Sequence, residues 1–235
     1  MSVFDLLRNT PLHPQWFAFI RTRKVLRSEW SNMEGIVLDV GCADGAAKHL
    51  LPPTTTYFGL DYYSTATDWY RTQPDVFGDA QSLPIEDDAI DHALLLDVLE
   101  HLPHPDRCLA ELHRVLRPGG SLTLQVPFMY PLHDEPLDFQ RWTLHGLRAA
   151  ADRHGFSIDS EVAIGHPLET AALNTNIALA KSVINWVRGR NPLAVLGLLL
   201  PVAVLANNVL AWLFAVLSSS DDLMPHGYRV VWIRR

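Results

Sequence analysis

The sequence predicts an α/β fold in which one doubly wound, mostly parallel sheet carries helices on both faces. First, the apolar run 36–40 has the length of a buried parallel strand, and the glycine-containing turn 41–45 follows it directly. Second, the runs 56–61 and 93–96 read as two more strands, each leading into an aspartate. Third, apolar residues recur at helical spacing over 105–116, and the turn 117–120 then leads into a strand at 121–126.

Length, charge and cysteine content limit the classes of protein to consider. A chain of 235 residues with 48% hydrophobic content can bury one complete core. The net charge of −7 argues against nucleic acid as the main partner, because phosphate binding needs a basic surface. The only cysteines, Cys42 and Cys108, favour a reducing compartment without disulfides. The first residues lack a secretory pattern, so we expect a cytoplasmic catalytic domain.

The turn after the first strand has the properties of a nucleotide-binding turn. Gly41 and Gly45 lack a Cβ, so the backbone there can approach a ligand closely. The helix expected from about Ala46 offers unpaired N–H groups at its start. Asp39, at the end of the strand, would repel a pyrophosphate but attract an ammonium group. The turn alone also fits a nicotinamide-dependent oxidoreductase.

Asp39, Gly41, Ala43 and Gly45 resemble the first motif of the class I S-adenosylmethionine-dependent methyltransferases, acidic-x-Gly-x-Gly-x-Gly. Ala43 stands where the family has its middle glycine, which asks an L-residue to adopt the turn's φ. The resemblance implies a Rossmann-like, seven-stranded sheet with an antiparallel last strand. It also implies S-adenosylmethionine as cofactor and methyl transfer as the activity.

Further segments resemble the family's motifs in the same order. Asp61 lies near the ~20-residue offset at which an acid follows such a turn, so it is expected to bind the ribose hydroxyls. By resemblance, Asp79 and Ala80 would contact the adenine, and the segment 97–103 would line the methionine part of the cofactor. The predicted cofactor-binding residues are Asp39, Gly41, Cys42, Gly45, Asp61, Tyr62, Asp79, Ala80 and Asp97.

A polar loop at 130–143 is the predicted acceptor site, because ligands of α/β sheets bind at the carboxyl ends of the strands. It resembles the His-Glu-x-x-x-Asp-x-x-Arg-type loop of methyltransferases linked to cell-surface glycans. If the acceptor is a hydroxyl, a base must take its proton, and His133 is the first choice with His101 second. Arg141 either orients the acceptor or pairs with Asp138. The predicted acceptor residues are Glu135, Asp138, Arg141 and Trp142.

No metal is predicted, because no set of His, Cys or carboxylate residues stands at ligand spacing; the adjacent His133, Asp134 and Glu135 are the nearest approach to one.

The last third of the chain adds an apolar element. A helix is predicted over 168–187, and the nearly uncharged run 193–217 is long enough to span a membrane. The final strand at 227–233 must return to the same sheet, which excludes a single crossing. Either the run dips into one leaflet as a hairpin broken at Pro201 or at Asn207 and Asn208, with Arg188 and Arg190 at the headgroups. Or it is buried by the preceding helix or by a second subunit in a homodimer.

The predicted organisation is an N-terminal helical segment or lid (1–34), a methyltransferase domain (35–167 and 222–235) and an apolar helical insertion (168–221). Within the first segment, 14–30 reads as one amphipathic helix that packs on the domain, covers the cofactor or rests on anionic lipid. The predicted function is O-methylation of a lipophilic or lipid-linked acceptor at the inner face of the membrane. Its alternatives are a non-catalytic cofactor-binding scaffold and C- or N-methylation of a small soluble metabolite.

Overall fold

The sheet of the protein has the predicted architecture. The computed structural model describes residues 7–20, 22–219 and 221–235. Seven strands in these ranges form one sheet in the order β3-β2-β1-β4-β5-β7-β6. Neighbours from β3 to β5 are parallel, and β7 is antiparallel to β5. The strands are β1 Gly35–Val40, β2 Thr55–Asp61, β3 Val76–Phe77, β4 Ile90–Leu96, β5 Leu116–Pro127, β6 Phe156–Ile164 and β7 Gly227–Arg234.

The helices follow the predicted order, with two corrections. The α-helices are α1 Trp16–Phe19, α2 Thr22–Glu29, α3 Pro105–Val115, α4 Leu144–Arg153, α5 Pro167–Arg188 and α6 Leu200–Leu217. The single helix predicted over 14–30 is wrong, because α1 and α2 are separate elements there. The helix after the glycine turn is only the short 3₁₀ helix Ala46–Leu50. Further short elements are the 3₁₀ helices Leu99–His101 and Pro192–Leu199 and the π-helical turn Thr65–Tyr70.

The strand order reverses direction between β1 and β4, and this position locates the site. β1 pairs with β2 on one side and with β4 on the other, in parallel. Their carboxyl ends therefore meet at one edge, which is the topological switch point where α/β sheets bind ligands. Val37 of β1 and Leu94 of β4 pack with Leu26 and Trp30, so the core lies directly beneath that edge.

The chain packs into two compact units that divide it differently from the predicted boundaries. The larger unit holds Leu26–Phe128, Leu132–Val162 and Gly227–Arg235. The smaller unit holds the described residues before Leu26, Met129–Pro131 and Ala163–His226. Within the smaller unit Trp16 and Phe17 pack against Ala172 and Ala211. The N-terminal segment up to Val25 therefore shares a core with the apolar insertion.

Three asparagines hold α5 and α6 together in the smaller unit. Asn176 Nδ2 donates to Asn208 Oδ1 at 2.7 Å, and Asn207 Nδ2 donates to Asn176 Oδ1 at 2.8 Å. Asn208 also donates to the Pro11 carbonyl at 2.8 Å. Pro201 lies in the first turn of α6, where its missing N–H interrupts no helical hydrogen bond. The predicted hairpin break at Pro201 or at Asn207 and Asn208 is therefore wrong.

The turn of the helical hairpin lies instead at residues 189–191, between α5 and Pro192–Leu199. The whole segment Pro192–Leu217 is long and apolar enough to cross a membrane, and only 11% of its most apolar window is buried. Leu198 and Leu217 are 80% and 82% exposed. The prediction that the preceding helix buries this segment is therefore wrong for most of its surface.

Candidate functional site

The glycine turn after β1 has three residues in the left-handed region. These are Gly41 with φ 74°, Ala43 with φ 48° and Gly45 with φ 68°. A Cβ on Gly41 would come within 2.4 Å of Val98 Cγ2, so glycine is needed for the turn to approach the segment after β4. A Cβ on Gly45 would meet only the Tyr57 hydroxyl at 3.9 Å, which leaves open space beside the backbone. The turn therefore fits a nucleotide that lies close to main chain.

Asp61, the predicted ribose ligand, braces this turn. Its carboxylate accepts hydrogen bonds from the Ala43 N–H at 2.8 Å and from the Tyr62 N–H at 2.7 Å. The side chain is almost fully buried, and burial raises the pKa of Asp61 against the opposing effect of the two N–H donors. Because a carboxylate has about four acceptor positions, Asp61 retains capacity for ribose hydroxyls.

Asp39 and Cys42 lie beneath the turn. Tyr57 donates its hydroxyl hydrogen to Asp39 Oδ2 at 2.8 Å, and burial raises the pKa of Asp39 to about 6 against this bond. Burial, and then the charges of Asp39 and Asp61, raise the pKa of the Cys42 thiol to about 12. Both side chains are buried, so at Cys42 the main chain is the part suited to contact a ligand.

The predicted adenine side contains exposed aromatic rings. Tyr62 is exposed, and Tyr63 packs on Phe77 with 5.3 Å between ring centroids. Asp79 Oδ1 accepts from the Gln81 N–H at 2.8 Å, which fixes the turn that also contains the buried Ala80.

Tyr70, at the end of the π-helical turn, is a partly exposed residue to which the sequence assigned no role. Burial, and then the negative charges of Asp134 and Asp61, raise the pKa of its phenol. Residues 65–70 have no regular hydrophobic period, so sequence patterning could not place this ring.

The polar loop is attached to the segment after β4 by one main-chain hydrogen bond and two from a side-chain amide. The Phe139 N–H donates to the Glu100 carbonyl at 3.0 Å. Gln140 Nε2 donates to the carbonyls of Leu99 at 3.1 Å and Leu102 at 3.2 Å. The loop ends at Thr143, whose Oγ1 caps α4 by accepting from the Gly146 N–H. Residues that follow β4 and β5 are thereby brought into one cluster.

His101 and His133, the two predicted bases, meet at this junction. Their ring centroids are 4.9 Å apart, and their Nε2 atoms lie 3.6 Å and 3.8 Å from Glu100 Oε1. His101 Nδ1 is 3.0 Å from the Leu137 carbonyl oxygen, an acceptor that requires the proton on Nδ1. His133 Nδ1 is 3.3 Å from Asp138 Oδ2, which favours the same tautomer. Both rings therefore present the Nε2 lone pair toward Glu100.

Glu100 belongs to the segment 97–103 that the sequence places beside the cofactor, although the sequence assigned it no role of its own. Its side chain is fully buried, and neither carboxylate oxygen has a hydrogen-bond partner among the described residues. A buried carboxylate without donors is costly, so this group calls for a positive charge beside it. A glutamate in a short 3₁₀ helix has no sequence pattern that distinguishes it from a solvated one.

Asp138 and Arg141 form an ion pair, which is one of the two arrangements that the sequence predicts for Arg141. Arg141 donates to both carboxylate oxygens of Asp138, and its Nη2 lies 2.7 Å from Oδ2. This pairing lowers the pKa of Asp138 to about 2. The Asp138 side chain is almost completely buried and also accepts from the His133 N–H. Asp138 therefore contacts both His133 and Arg141, and its predicted contact with the acceptor stays a prediction.

The remaining predicted residues lie around this cluster. Glu135 is exposed, and Trp142 has a buried indole N–H without a partner among the described residues. Asp97 accepts from Gln125 Nε2 at 2.9 Å, and desolvation and then the charge of Glu100 raise the pKa of its carboxyl.

The prediction of no metal site stays a prediction, but the structure brings together three residues of metal-ligating types that the sequence did not group. Ligand atoms of Glu100, His101 and His133 all lie within 4.8 Å of one another. The sequence offered His133, Asp134 and Glu135 as the nearest approach to a metal site. The structure instead groups His133 with Glu100 and His101, which follow β4.

These features describe an α/β protein with a glycine turn and a polar loop at its switch point. Residues 38–124 match the family model described as a methyltransferase domain. This part of the chain is therefore a methyltransferase domain, and S-adenosylmethionine is the cofactor that the match and the named relatives imply. The glycine turn, with Asp61 behind it and open space beside Gly45, fits that cofactor.

Comparisons with known proteins extend this assignment. The chain is 37% identical over 95 residues to phthiotriol/phenolphthiotriol dimycocerosates methyltransferase 1 of Mycobacterium ulcerans, covering 37% of this chain and 35% of the relative. It is 34% identical over 125 residues to a fatty-acid O-methyltransferase of Mycolicibacterium smegmatis, covering 49% and 42%. The chain thus spans less than half the length of these two relatives.

The fold also resembles solved structures at low sequence identity. The [4+2]-cyclase SpnF aligns with a TM-score of 0.58 at 21% identity, covering 91% of this chain and 80% of that one. At this identity the likeness concerns the fold alone.

We predict that Ala43→Gly stabilises the protein by about 1 kcal/mol, because the left-handed φ of 48° strains an L-residue and not glycine. Urea unfolding followed by circular dichroism measures the change. Ala46→Gly, in the adjacent 3₁₀ helix, is the matched control and should destabilise. An Ala43→Gly variant that is no more stable than the wild type would contradict the prediction.

Proposed function

We propose that this protein transfers the methyl group of S-adenosylmethionine to a hydroxyl oxygen of a lipophilic or lipid-linked acceptor at a membrane surface. The observation that carries the proposal is the junction of His101, His133 and Glu100 at the carboxyl end of β4, beside the glycine turn. The approach of Gly41 to Val98 joins the cofactor turn to the same segment. Cofactor and acceptor would therefore meet at one edge of the sheet.

The residues that would hold the cofactor are those of the turn, with Asp61 for the ribose and Asp79 for the adenine. S-adenosylmethionine supplies a methyl group on a positively charged sulfur. The carboxylates of Asp97 and Glu100 would favour that positive charge and disfavour an anionic nucleotide. A nicotinamide cofactor, with its pyrophosphate, suits this edge less well.

His133 is the proposed base for the hydroxyl proton. Asp138 Oδ2 lies 3.3 Å from its Nδ1, and its Nε2 lies 3.8 Å from Glu100 Oε1. When Nε2 takes a proton, the resulting imidazolium lies 3.8 Å from the Glu100 carboxylate, which stabilises the charge. His101 stands 3.6 Å from the same oxygen and is the alternative base.

Two independent features favour a lipophilic acceptor. One is the exposed apolar surface of Pro192–Leu217, which is larger than a soluble monomer ordinarily exposes. The other is that both named relatives act on lipids by their names, a fatty acid and phthiotriol dimycocerosates. The helical hairpin carries Arg188 and Arg190 at its turn, where cations would meet anionic headgroups. We propose contact with one leaflet for this segment and a homodimer contact as its competitor.

Two other functions remain as competitors. The chain is a non-catalytic cofactor-binding scaffold if it binds S-adenosylmethionine but transfers nothing. It is a C- or N-methyltransferase of a small soluble metabolite if transfer occurs without lipid. The fold does not determine the reaction, since the similar structure of SpnF is that of a [4+2]-cyclase.

We predict that the protein transfers label from methyl-labelled S-adenosylmethionine into an organic-extractable product when lipid extract is supplied. His133→Ala should slow this transfer by about 10²- to 10⁴-fold, the usual contribution of a general base, without weakening cofactor binding. His145→Ala, an exposed histidine on α4, is the matched control and should transfer at the wild-type rate. Full activity in His133→Ala would remove the base assignment, and label only in water-soluble products would contradict the lipophilic acceptor.

We also predict that the protein floats with vesicles of anionic phospholipid in a density gradient. The double variant Leu198→Glu and Val202→Glu places two charges on the exposed apolar surface and should abolish flotation. Thr175→Glu, at an exposed polar position on α5, is the control and should still float. A wild-type protein that sediments without lipid and elutes as a dimer would instead support the subunit contact.

A further inference from the structure

We propose that Glu100, His101 and His133 form a binding site for a divalent transition-metal ion. The three residues offer one carboxylate oxygen and two imidazole nitrogens, and these atoms lie within 4.8 Å of one another. They come from two separate chain segments that follow β4 and β5. Binding of the metal itself does not depend on the proposed function, whereas its chemical use, described below, does.

The spacing of the ligand atoms suits a common ion. Glu100 Oε1 is 3.6 Å from His101 Nε2 and 3.8 Å from His133 Nε2. Two ligands that each lie about 2.0 to 2.2 Å from one metal are separated by roughly 3 to 4 Å, depending on the angle between them. These separations exceed hydrogen-bond length, so a small contraction around an ion would satisfy all three groups.

Both imidazoles are oriented by the contacts of their other nitrogen. Leu137 carbonyl oxygen lies 3.0 Å from His101 Nδ1, and Asp138 Oδ2 lies 3.3 Å from His133 Nδ1. Metal-binding histidines are commonly held in this way by a carbonyl or a carboxylate, which fixes the tautomer and the direction of the lone pair. Asp138 is itself fixed by Arg141. The supporting contacts of a metal site are therefore in place.

The second, independent observation is the state of Glu100. Its carboxylate is fully buried, and neither oxygen has a hydrogen-bond donor among the described residues. A buried anion without donors is stabilised by a cation, and the two histidine Nε2 atoms face the same oxygen. A metal ion between the three groups would give the Glu100 carboxylate the positive partner that it lacks among the described residues.

The ligand types narrow the choice of ion. A set of two imidazoles and one carboxylate without cysteine suits zinc, manganese or ferrous iron better than calcium or magnesium. Three protein ligands leave coordination positions open, as in catalytic rather than structural sites. Asp134 Oδ2 lies 3.9 Å from His101 Nε2 and is placed to serve as a fourth ligand or as a proton acceptor.

Given the proposed function, the ion would activate the acceptor hydroxyl. A hydroxyl oxygen bound in an open position loses its proton more readily, because the metal stabilises the oxyanion. The proton would pass to Asp134 and then to water, since the imidazole lone pairs are engaged by the metal. In the metal-bound protein the ion would thus replace His133 as the activating group.

The test is metal binding to the full chain after removal of metals by chelation. Titration with Co²⁺, followed by visible absorption, and with Zn²⁺, followed by calorimetry, should give one saturable site per chain. His101→Ala and His133→Ala should each weaken Zn²⁺ binding by about 100-fold or more, since even loss of a supporting contact costs 10- to 100-fold. His145→Ala should bind as the wild type does.

The outcomes separate this inference from the proposed function. Absence of a saturable site, or equal affinity in wild type, His101→Ala and His133→Ala, would overturn the metal site. Stoichiometric Zn²⁺ binding that the two variants lose would support it even if no methyl transfer were found. Glu100→Gln preserves the shape of the side chain and removes its charge, so it should weaken Zn²⁺ binding by a similar factor. Circular dichroism shows whether this variant is folded. If it is unfolded, the result for the two histidine variants determines whether the metal site exists.

Discussion

The candidate site depends on the attachment of the polar loop to the segment after β4. The main-chain bond from Phe139 to Glu100 and the Gln140 amide bonds to Leu99 and Leu102 bring residues from two strand ends together. Without them, His133 would have no fixed position relative to Glu100 and His101. The pairing of Asp138 with Arg141 then fixes the ring of His133. Hydrogen bonds and ion pairs with carbonyl and carboxylate groups, rather than hydrophobic packing, thus determine how His133 lies relative to Glu100.

Much of the sheet could be predicted from the sequence, and the reason is physical. Continuous apolar runs such as 93–96 are typical of parallel strands buried on both faces, and the glycine turn 41–45 marks where the first strand ends. The sequence placed Glu100 only within the cofactor-lining segment 97–103, because its proximity to His133 joins residues that are distant in sequence. The sequence predicts two alternatives for Arg141, a contact with the acceptor or a pair with Asp138. Spacing alone does not determine which one forms, and the structure shows the pair.

The apolar segment shows the same limit of sequence patterns. Hydropathy identifies the run 193–217 as apolar, but it cannot tell whether Asn207 and Asn208 break a helix or join two helices. In the structure they join α6 to α5 through Asn176. Polar side chains within an apolar run are costly unless paired, so their pairing fixes one face of α6 and leaves the others exposed.

The most direct test of this account is calorimetric titration of the purified protein with S-adenosylhomocysteine, with NAD as the control. The account predicts saturable binding of S-adenosylhomocysteine at one site per chain and no binding of NAD. The turn at Gly41–Gly45, braced by Asp61, is built for the former, while the carboxylates of Asp97 and Glu100 disfavour the pyrophosphate of the latter. Binding of NAD alone, or of neither compound, would contradict the assignment of the cofactor site.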